Sequence, residues 1–160
     1  MPACERMFTQ MNQLRVVIMG QGRSGRDIHG LHLKKDTERF HVVGVVEPLK
    51  ERRERAALEF GCDTYTDYRQ LFGRTDIDLV INSTPSNLHF TITKDLLEHG
   101  FNVLCEKPCV PTVEEFDILC ETAKKNNRIL LVFQQSRFAN YFVKVKEVIA
   151  SGNLGRIVHV

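Results

Sequence analysis

A chain of 160 residues, 42% hydrophobic and 26% charged, is long enough to bury a sizeable core in one domain and has the composition of an ordinary globular protein. A formal net charge of +2 argues against nucleic acid or an anionic membrane as the main partner, and no apolar stretch has the length of a signal-peptide core or a bilayer span. Five cysteines in no paired framework point to a reducing compartment, so the expected location is the cytoplasm.

Residues 1–12 have no hydrophobic periodicity and read as a loose leader. The chain is then organised around LRVVIMGQGRSGRDIHG, Leu14 to Gly30. Val16, Val17, Ile18 and Met19 form the continuous apolar run of a strand buried on both faces. Gly20, Gly22 and Gly25 follow as G-x-G-x-x-G, with Arg23 and Ser24 between them, and a helix is expected over Arg26 to Leu33. Gly20 permits the turn, Gly22 lets backbone approach a pyrophosphate, and Gly25 allows close packing of helix on sheet. The helix N-terminus would then face the phosphates with free N–H groups. An ordinary glycine-rich turn is the plain alternative, but the strand before and the helix after favour dinucleotide binding.

A second apolar run, Phe40 to Val46, ends at Glu47, 22 residues beyond Gly25 and close to where an acid meets the adenosine ribose. A carboxylate there accepts from ribose hydroxyls and repels a 2′-phosphate, which favours NAD. Lys50, Arg52, Arg53 and Arg55, with Arg23, could tolerate NADP, although Glu51 and Glu54 break the run as on a solvated helix face. That helix runs from about Leu49 to Phe60, with Gly61 as its stop.

Thr64 and Tyr65 form a short third strand, and Asp67 with Gln70 fits the capping of a brief helix. Leu79 to Ile81 form a fourth strand, followed by a polar turn from Asn82 to His89 that contains Ser83, Thr84, Pro85 and Asn87. His89 could equally be a capping or surface residue. A helix from Phe90 to His99 and a fifth strand from Asn102 to Cys105 deliver Glu106, Lys107 and Pro108 to the same rim. Cys105 and Cys109 could suggest a metal or redox pair, but they lack a second ligand pair, and idle buried thiols are the plainer reading. No metal is expected.

Thr112 and Glu115 are spaced as a capping box for a helix with Phe116, Leu119, Cys120 and Ala123 on its core face. Ile129 to Phe133 form a sixth strand, and Gln134, Gln135, Ser136, Arg137 and Phe138 leave its end. A last helix carries Phe138, Phe142, Val145 and Ile149 along one face and stops at Gly152, and Arg156 to Val160 reads as one more strand. Strands alternating with helices, without hairpin turns, predict a doubly wound parallel α/β sheet of the Rossmann type.

By Glu106-Lys107-Pro108 the chain resembles the N-terminal half of the glucose–fructose oxidoreductase/inositol dehydrogenase (Gfo/Idh/MocA) family. The features that carry the resemblance are VVIMGQGRSG, the acid of VVGVVEP, STPSNLH, CEKP and the tail QSRFANYFVKVKEVIASGNLGRI, although Ala139 stands where proline often follows RF. The resemblance implies an NAD(P)-dependent oxidoreductase that moves hydride to or from a hydroxyl carbon of a sugar or polyol. It implies that Lys107 is the active-site lysine, also close to the cofactor, and that Glu106 neighbours the nicotinamide ribose. Ser83, Thr84, Pro85, Asn87 and His89 would lie along the cofactor, Gln135 and Arg137 would also bind it, and Arg137 would stand near the boundary of cofactor and substrate.

A lysine at that rim could steady negative charge on the substrate oxygen, while Glu106 would favour its charged form. The resemblance also implies a second domain, so residues 13–152 are expected to be the dinucleotide-binding domain and residues 153–160 the first strand of a substrate domain. Residues 1–160 alone are expected to bind cofactor weakly, to self-associate through that strand and to lack turnover. The rival reading is a non-catalytic NAD(P)-binding sensor or scaffold. Partners are a small-molecule substrate and, compatibly, further copies of the chain.

Overall fold

Six short segments pair as parallel strands, with the apolar, β-branched runs of LRVVIM, FHVVGVV and LVIN at the centre and the three-residue strands DTY, VLC and LLV extending the sheet on either side. They are β1 (Leu14–Met19), β2 (Phe40–Val46), β3 (Asp63–Tyr65), β4 (Leu79–Asn82), β5 (Val103–Cys105) and β6 (Leu130–Val132), in the sheet order β3-β2-β1-β4-β5-β6. The structure is a computed structural model that describes residues 13–159. The expected leader at 1–12 lies outside the described residues, as does Val160.

Alternation along each strand fills a core on both faces of the sheet. Val17, Met19, Val46, Val80, Val103 and Cys105 pack on one side against Ile92, Leu96 and Leu97 of α3 (His89–Glu98) and Leu119 and Ala123 of α4 (Val113–Lys125). Val16, Ile18, Val42, Val45 and Ile81 pack on the other against Leu33 of α1 (Leu31–Lys35) and Ala56 of α2 (Lys50–Phe60). Each such aliphatic side chain contributes about 1.5–3 kcal/mol on burial.

The sequence expectation holds for the parallel sheet and for the capped turn at Tyr68–Leu71, where Asp67 and Gln70 close their capping box. Three local expectations are corrected. The capping box at α4 is half formed, because Thr112 Oγ1 accepts from Glu115 N while Glu115 Oε2 is buried without a partner. The buried stripe of α4 is Leu119, Thr122 and Ala123, leaving Phe116 and Cys120 exposed. Thr122 can take a core position because its hydroxyl donates to Ile118 O at 2.7 Å. The last helix, α5 (Asn140–Ala150), buries none of its residues, and Phe138 just before it is 85% exposed. Residues 156–159 pair with no strand of the described sheet, and the partners expected for them belong to a second domain.

Candidate functional site

The chain leaves β1 and runs outward through β2 and β3, then crosses to β4 on the other side of β1. That reversal leaves a crevice beyond the carboxyl ends of β1 and β4, the position at which open parallel sheets bind ligands. A cleft of about 520 Å³ lies there. Gly20, Gly22, Glu47, Ser83, Thr84 and Pro85 line it, with Arg52 beside them.

The glycines divide the work by distance. Gly20 turns out of β1 at φ +84°, where a side chain is strained, and a Cβ there would lie 2.6 Å from Ser83 O. A Cβ on Gly25 would lie 1.9 Å from Gly20 O and 2.7 Å from Ser83 Oγ, so no other residue fits this crossing. Gly22 differs, since its nearest neighbour would be Arg52 Nη1 at 4.0 Å. Its missing side chain leaves open space rather than relieving contact. The helix that follows begins earlier than the sequence suggests, as a π-helical segment over Arg23–Gly30 that passes into α1. Such widened turns are frequent at functional sites. Arg23 is exposed and Ser24 half-buried on its first turn, next to the cleft but not in its lining.

Glu47 directly follows β2 and is buried, yet it lines the cleft. Its Oε2 accepts from Gln21 N at 2.7 Å and its Oε1 from Leu49 N at 3.0 Å. The carboxylate thereby joins the glycine loop to the end of β2, and each oxygen keeps a further lone pair for a ligand. The basic run sorts itself by contact. Arg53 Nη1 donates to Glu47 O and Pro48 O, Arg55 Nη2 donates to Gln21 O, and Lys50 pairs with Glu54. Arg52 is the cation of that helix on the cleft, 3.6 Å from Glu47 Oε2.

The opposite wall is Thr66, Asp67, Tyr68 and Arg69, which sequence reasoning did not assign to the site. Tyr68 Oη donates to Asp95 Oδ2 at 2.6 Å, and burial with that carboxylate pushes the phenol up to about 12. The β4 turn is held from below. Ser83 Oγ donates to Met19 O at 2.5 Å, and Thr84 Oγ1 to Asn82 Oδ1 at 2.7 Å. Pro85 is on the cleft, whereas Asn87 is exposed outside its lining.

His89 is not on the cleft either. It is 1% exposed, with Nε2 2.8 Å from Thr84 O and Nδ1 2.8 Å from Pro108 O. It ties the β4 turn to the segment after β5. A neutral ring has one N–H and serves one of these carbonyls, and only a ring with both protons serves both.

Glu106 is likewise buried rather than in the cleft lining. Its Oε1 lies 3.0 Å from His29 Nε2 and its Oε2 accepts from Lys107 N at 3.1 Å. The carboxylate thus grips the backbone of Lys107, whose side chain lies on the exposed rim. His29, at the end of the π-helical segment, packs on Phe133 and was not singled out from the sequence. Its place four residues after Gly25 is the one signal that could have found it. Gln135 and Arg137 are exposed and line a separate cleft of about 750 Å³ with Phe133 and Phe142.

Burial holds His29 below the ordinary histidine value, with Glu106 opposing. The unfolded chain therefore binds that proton first, and stability present above pH 6.5 falls as the pH drops toward the lowered native value. The carboxylates held low by arginines, at Asp36, Glu59, Asp76 and Asp78, titrate at lower pH and leave this window clear. Thermal melts should show a lower Tm at pH 5.5 than at 7.5, whereas equal Tm values would contradict a neutral buried His29.

Known proteins agree with this geometry. A family model described as an oxidoreductase family with the NAD-binding Rossmann fold matches residues 14–134. An uncharacterised oxidoreductase of Schizosaccharomyces pombe is 34% identical over 151 residues, covering 92% of this chain and 41% of that protein. Inositol 2-dehydrogenase 4 of Saccharopolyspora erythraea is 31% identical, covering 90% of this chain and 43% of that protein. The WlbA dehydrogenase of Chromobacterium violaceum, solved with NADH and UDP-GlcNAcA, superposes with a TM-score of 0.83 at 26% identity, covering 94% of this chain and 43% of that one. The chain thus spans less than half the length of the relatives it matches.

Proposed function

Because the chain belongs to the oxidoreductase family with the NAD-binding Rossmann fold, we propose that it is the cofactor-binding part of an NAD(P)-dependent enzyme that transfers hydride to or from a hydroxyl carbon of a sugar or polyol. The carrying observation is the cleft across the ends of β1 and β4, with the open side of Gly22 and the Glu47 carboxylate on its wall. The inositol dehydrogenase among the relatives supports the substrate class. The cysteine composition supports the cytoplasm. No helix of the described residues is long and apolar enough to cross a membrane.

In this reading the nicotinamide supplies or accepts the hydride, and the chain's residues place it. Gly20, Gly22, Arg23 and Ser24 take the pyrophosphate, Gly25 lets the helix cross close enough to β1 to present them, Glu47 takes the adenosine ribose, and Ser83, Thr84 and Pro85 line the path across β4. Asn87 stands at the end of that turn, and Gln135 and Arg137 serve the substrate side. His89 and Glu106 act from beneath, by holding the turn and the Lys107 backbone in place. Lys107, on the rim, donates to the substrate oxygen as it gains negative charge. Hydride transfer also needs the substrate carbon held at roughly 3–3.5 Å, so residues 1–160 alone should bind cofactor without turnover.

Glu47→Ser tests the ribose assignment. It should weaken NAD binding about 10- to 100-fold, the effect of losing a hydrogen bond to a charged group, and relax rejection of NADP. Calorimetric titration with both cofactors reads this, and equal affinities in the unmodified chain would contradict it. The substrate class is tested on the whole protein by assaying cofactor-dependent turnover over a panel of polyols and aldoses, with no turnover on any member as the contrary result.

A further inference from the structure

We propose that His29 is a positioning residue for Lys107, the side chain through which the glycine-loop segment fixes the lysine's place on the rim. Gly25 crosses closely over Gly20 O, and His29, one turn further along that face, is carried inward until its side chain is 6% exposed. Its Nε2 lies 3.0 Å from Glu106 Oε1, and its ring packs on Phe133 with centroids 4.4 Å apart. Phe133 N donates to Cys105 O at 2.8 Å, so the imidazole is seated against chain already fixed to the end of β5.

The Glu106 carboxylate turns that contact into a hold on Lys107. Glu106 is buried, and a buried carboxylate needs donors for its oxygens. His29 serves Oε1, and Oε2 accepts from Lys107 N at 3.1 Å. Burial keeps the imidazole neutral above pH 6.5, so its single N–H is the one on Nε2. Among the described residues Glu106 makes no ion pair with the Lys107 ammonium, which leaves that group for the substrate oxygen. On either side of this hold, Glu106 N donates to Asn82 O at 3.0 Å and Pro108 O meets His89 Nδ1 at 2.8 Å. The backbone is thus fixed at three consecutive residues, and the middle fixing depends on His29.

Without the imidazole N–H, Oε1 is a buried anionic oxygen with no donor. The carboxylate then turns toward water or takes up a proton, and either change weakens its bond to Lys107 N. A long side chain amplifies a small rotation at its Cα, so the ammonium leaves its place. The cleft beyond β1 and β4 is untouched, since neither His29 nor Glu106 lines it. Misplacement by about 1 Å at a reacting centre can cost about 10²-fold in rate. That consequence for turnover rests on the role proposed for Lys107, whereas the hold on its backbone does not.

The test compares His29→Phe, which keeps a ring on Phe133 but has no N–H, with His29→Gln, whose side-chain amide restores a donor. In the whole protein His29→Phe should lower kcat about 10- to 100-fold with KM and NAD affinity nearly unchanged, and His29→Gln should recover most of the loss. In a Lys107→Met background His29→Phe should cost nothing further, because both act through the same ammonium. Hydrogen exchange at the Lys107 amide, read by mass spectrometry of peptides spanning it, should quicken about 10-fold or more in the phenylalanine variant and return to the native rate with glutamine. Where His29→Phe fails to fold, His29→Met removes the N–H with a flexible side chain and is read in the same way. Native turnover in Lys107→Met would contradict the role given to Lys107 and leave the exchange rates to judge His29. Unchanged exchange in a folded variant without the N–H would overturn the proposal. So would equal losses with phenylalanine and glutamine, or an equal loss of kcat with and without Lys107.

Discussion

Gly25→Ala should unfold or severely destabilise the protein, while Gly22→Ala should leave it folded and impair only the cleft. The added methyl at position 25 would sit 1.9 Å from Gly20 O, a backbone atom that cannot rotate away, and 2.7 Å from Ser83 Oγ. Relief requires the π-helical segment to lift from β1, which also separates the Glu47 carboxylate from Gln21 N. Overpacking of this kind costs about 3 kcal/mol or more, equivalent to a Tm lowered by roughly 6–12 °C in a domain of this size. At position 22 the nearest atom is 4.0 Å away, so the methyl meets no protein and instead fills space that a pyrophosphate would use. Thermal melts and NAD titrations on both variants separate the effects. A Gly25→Ala protein with wild-type Tm would contradict the close crossing described for this helix.

Lys107→Met should lower kcat of the whole protein by about 10²–10³-fold with nearly unchanged cofactor affinity, the size of effect seen when one donor to a developing oxyanion is lost. The structure makes this a clean substitution. Lys107 has an exposed side chain, and its fixed point is its backbone N–H, which donates to Glu106 Oε2 whatever the side chain. Glu106 is in turn held by His29, so the methionine variant keeps the segment in place. Steady-state kinetics with calorimetric titration of NAD reads both quantities. Loss of cofactor binding with little change in turnover would make Lys107 a phosphate or ribose contact instead.

The sheet was legible because its determinants are local. Apolar runs such as Val16 to Met19, glycines at 20, 22 and 25, and Asp67 with Gln70 state their conformations within a few residues. Glu47 was legible too, since spacing along one strand–helix–strand unit sets its place on the cleft. What escaped depends on pairings between distant segments. His29 meets Glu106 across 77 residues, His89 turns inward to two carbonyls, and the Thr66 to Arg69 wall reaches the cleft from the carboxyl end of β3, two strands away from β1. No spacing rule encodes such contacts. The same reasoning explains why Arg52, alone of the helix's basic run, was not separable from Arg53 and Arg55 until their backbone acceptors were seen.

The central claim is that the cleft beyond β1 and β4 is a dinucleotide site, and calorimetric titration of NAD into residues 1–160 tests it most directly. The expected result is saturable binding of one NAD per chain, displaced by ADP-ribose, weakened by Gly22→Ala and Glu47→Ser, and unchanged by Arg137→Ala in the separate cleft. Absence of binding to the folded chain, or binding indifferent to Gly22 and Glu47, would contradict it.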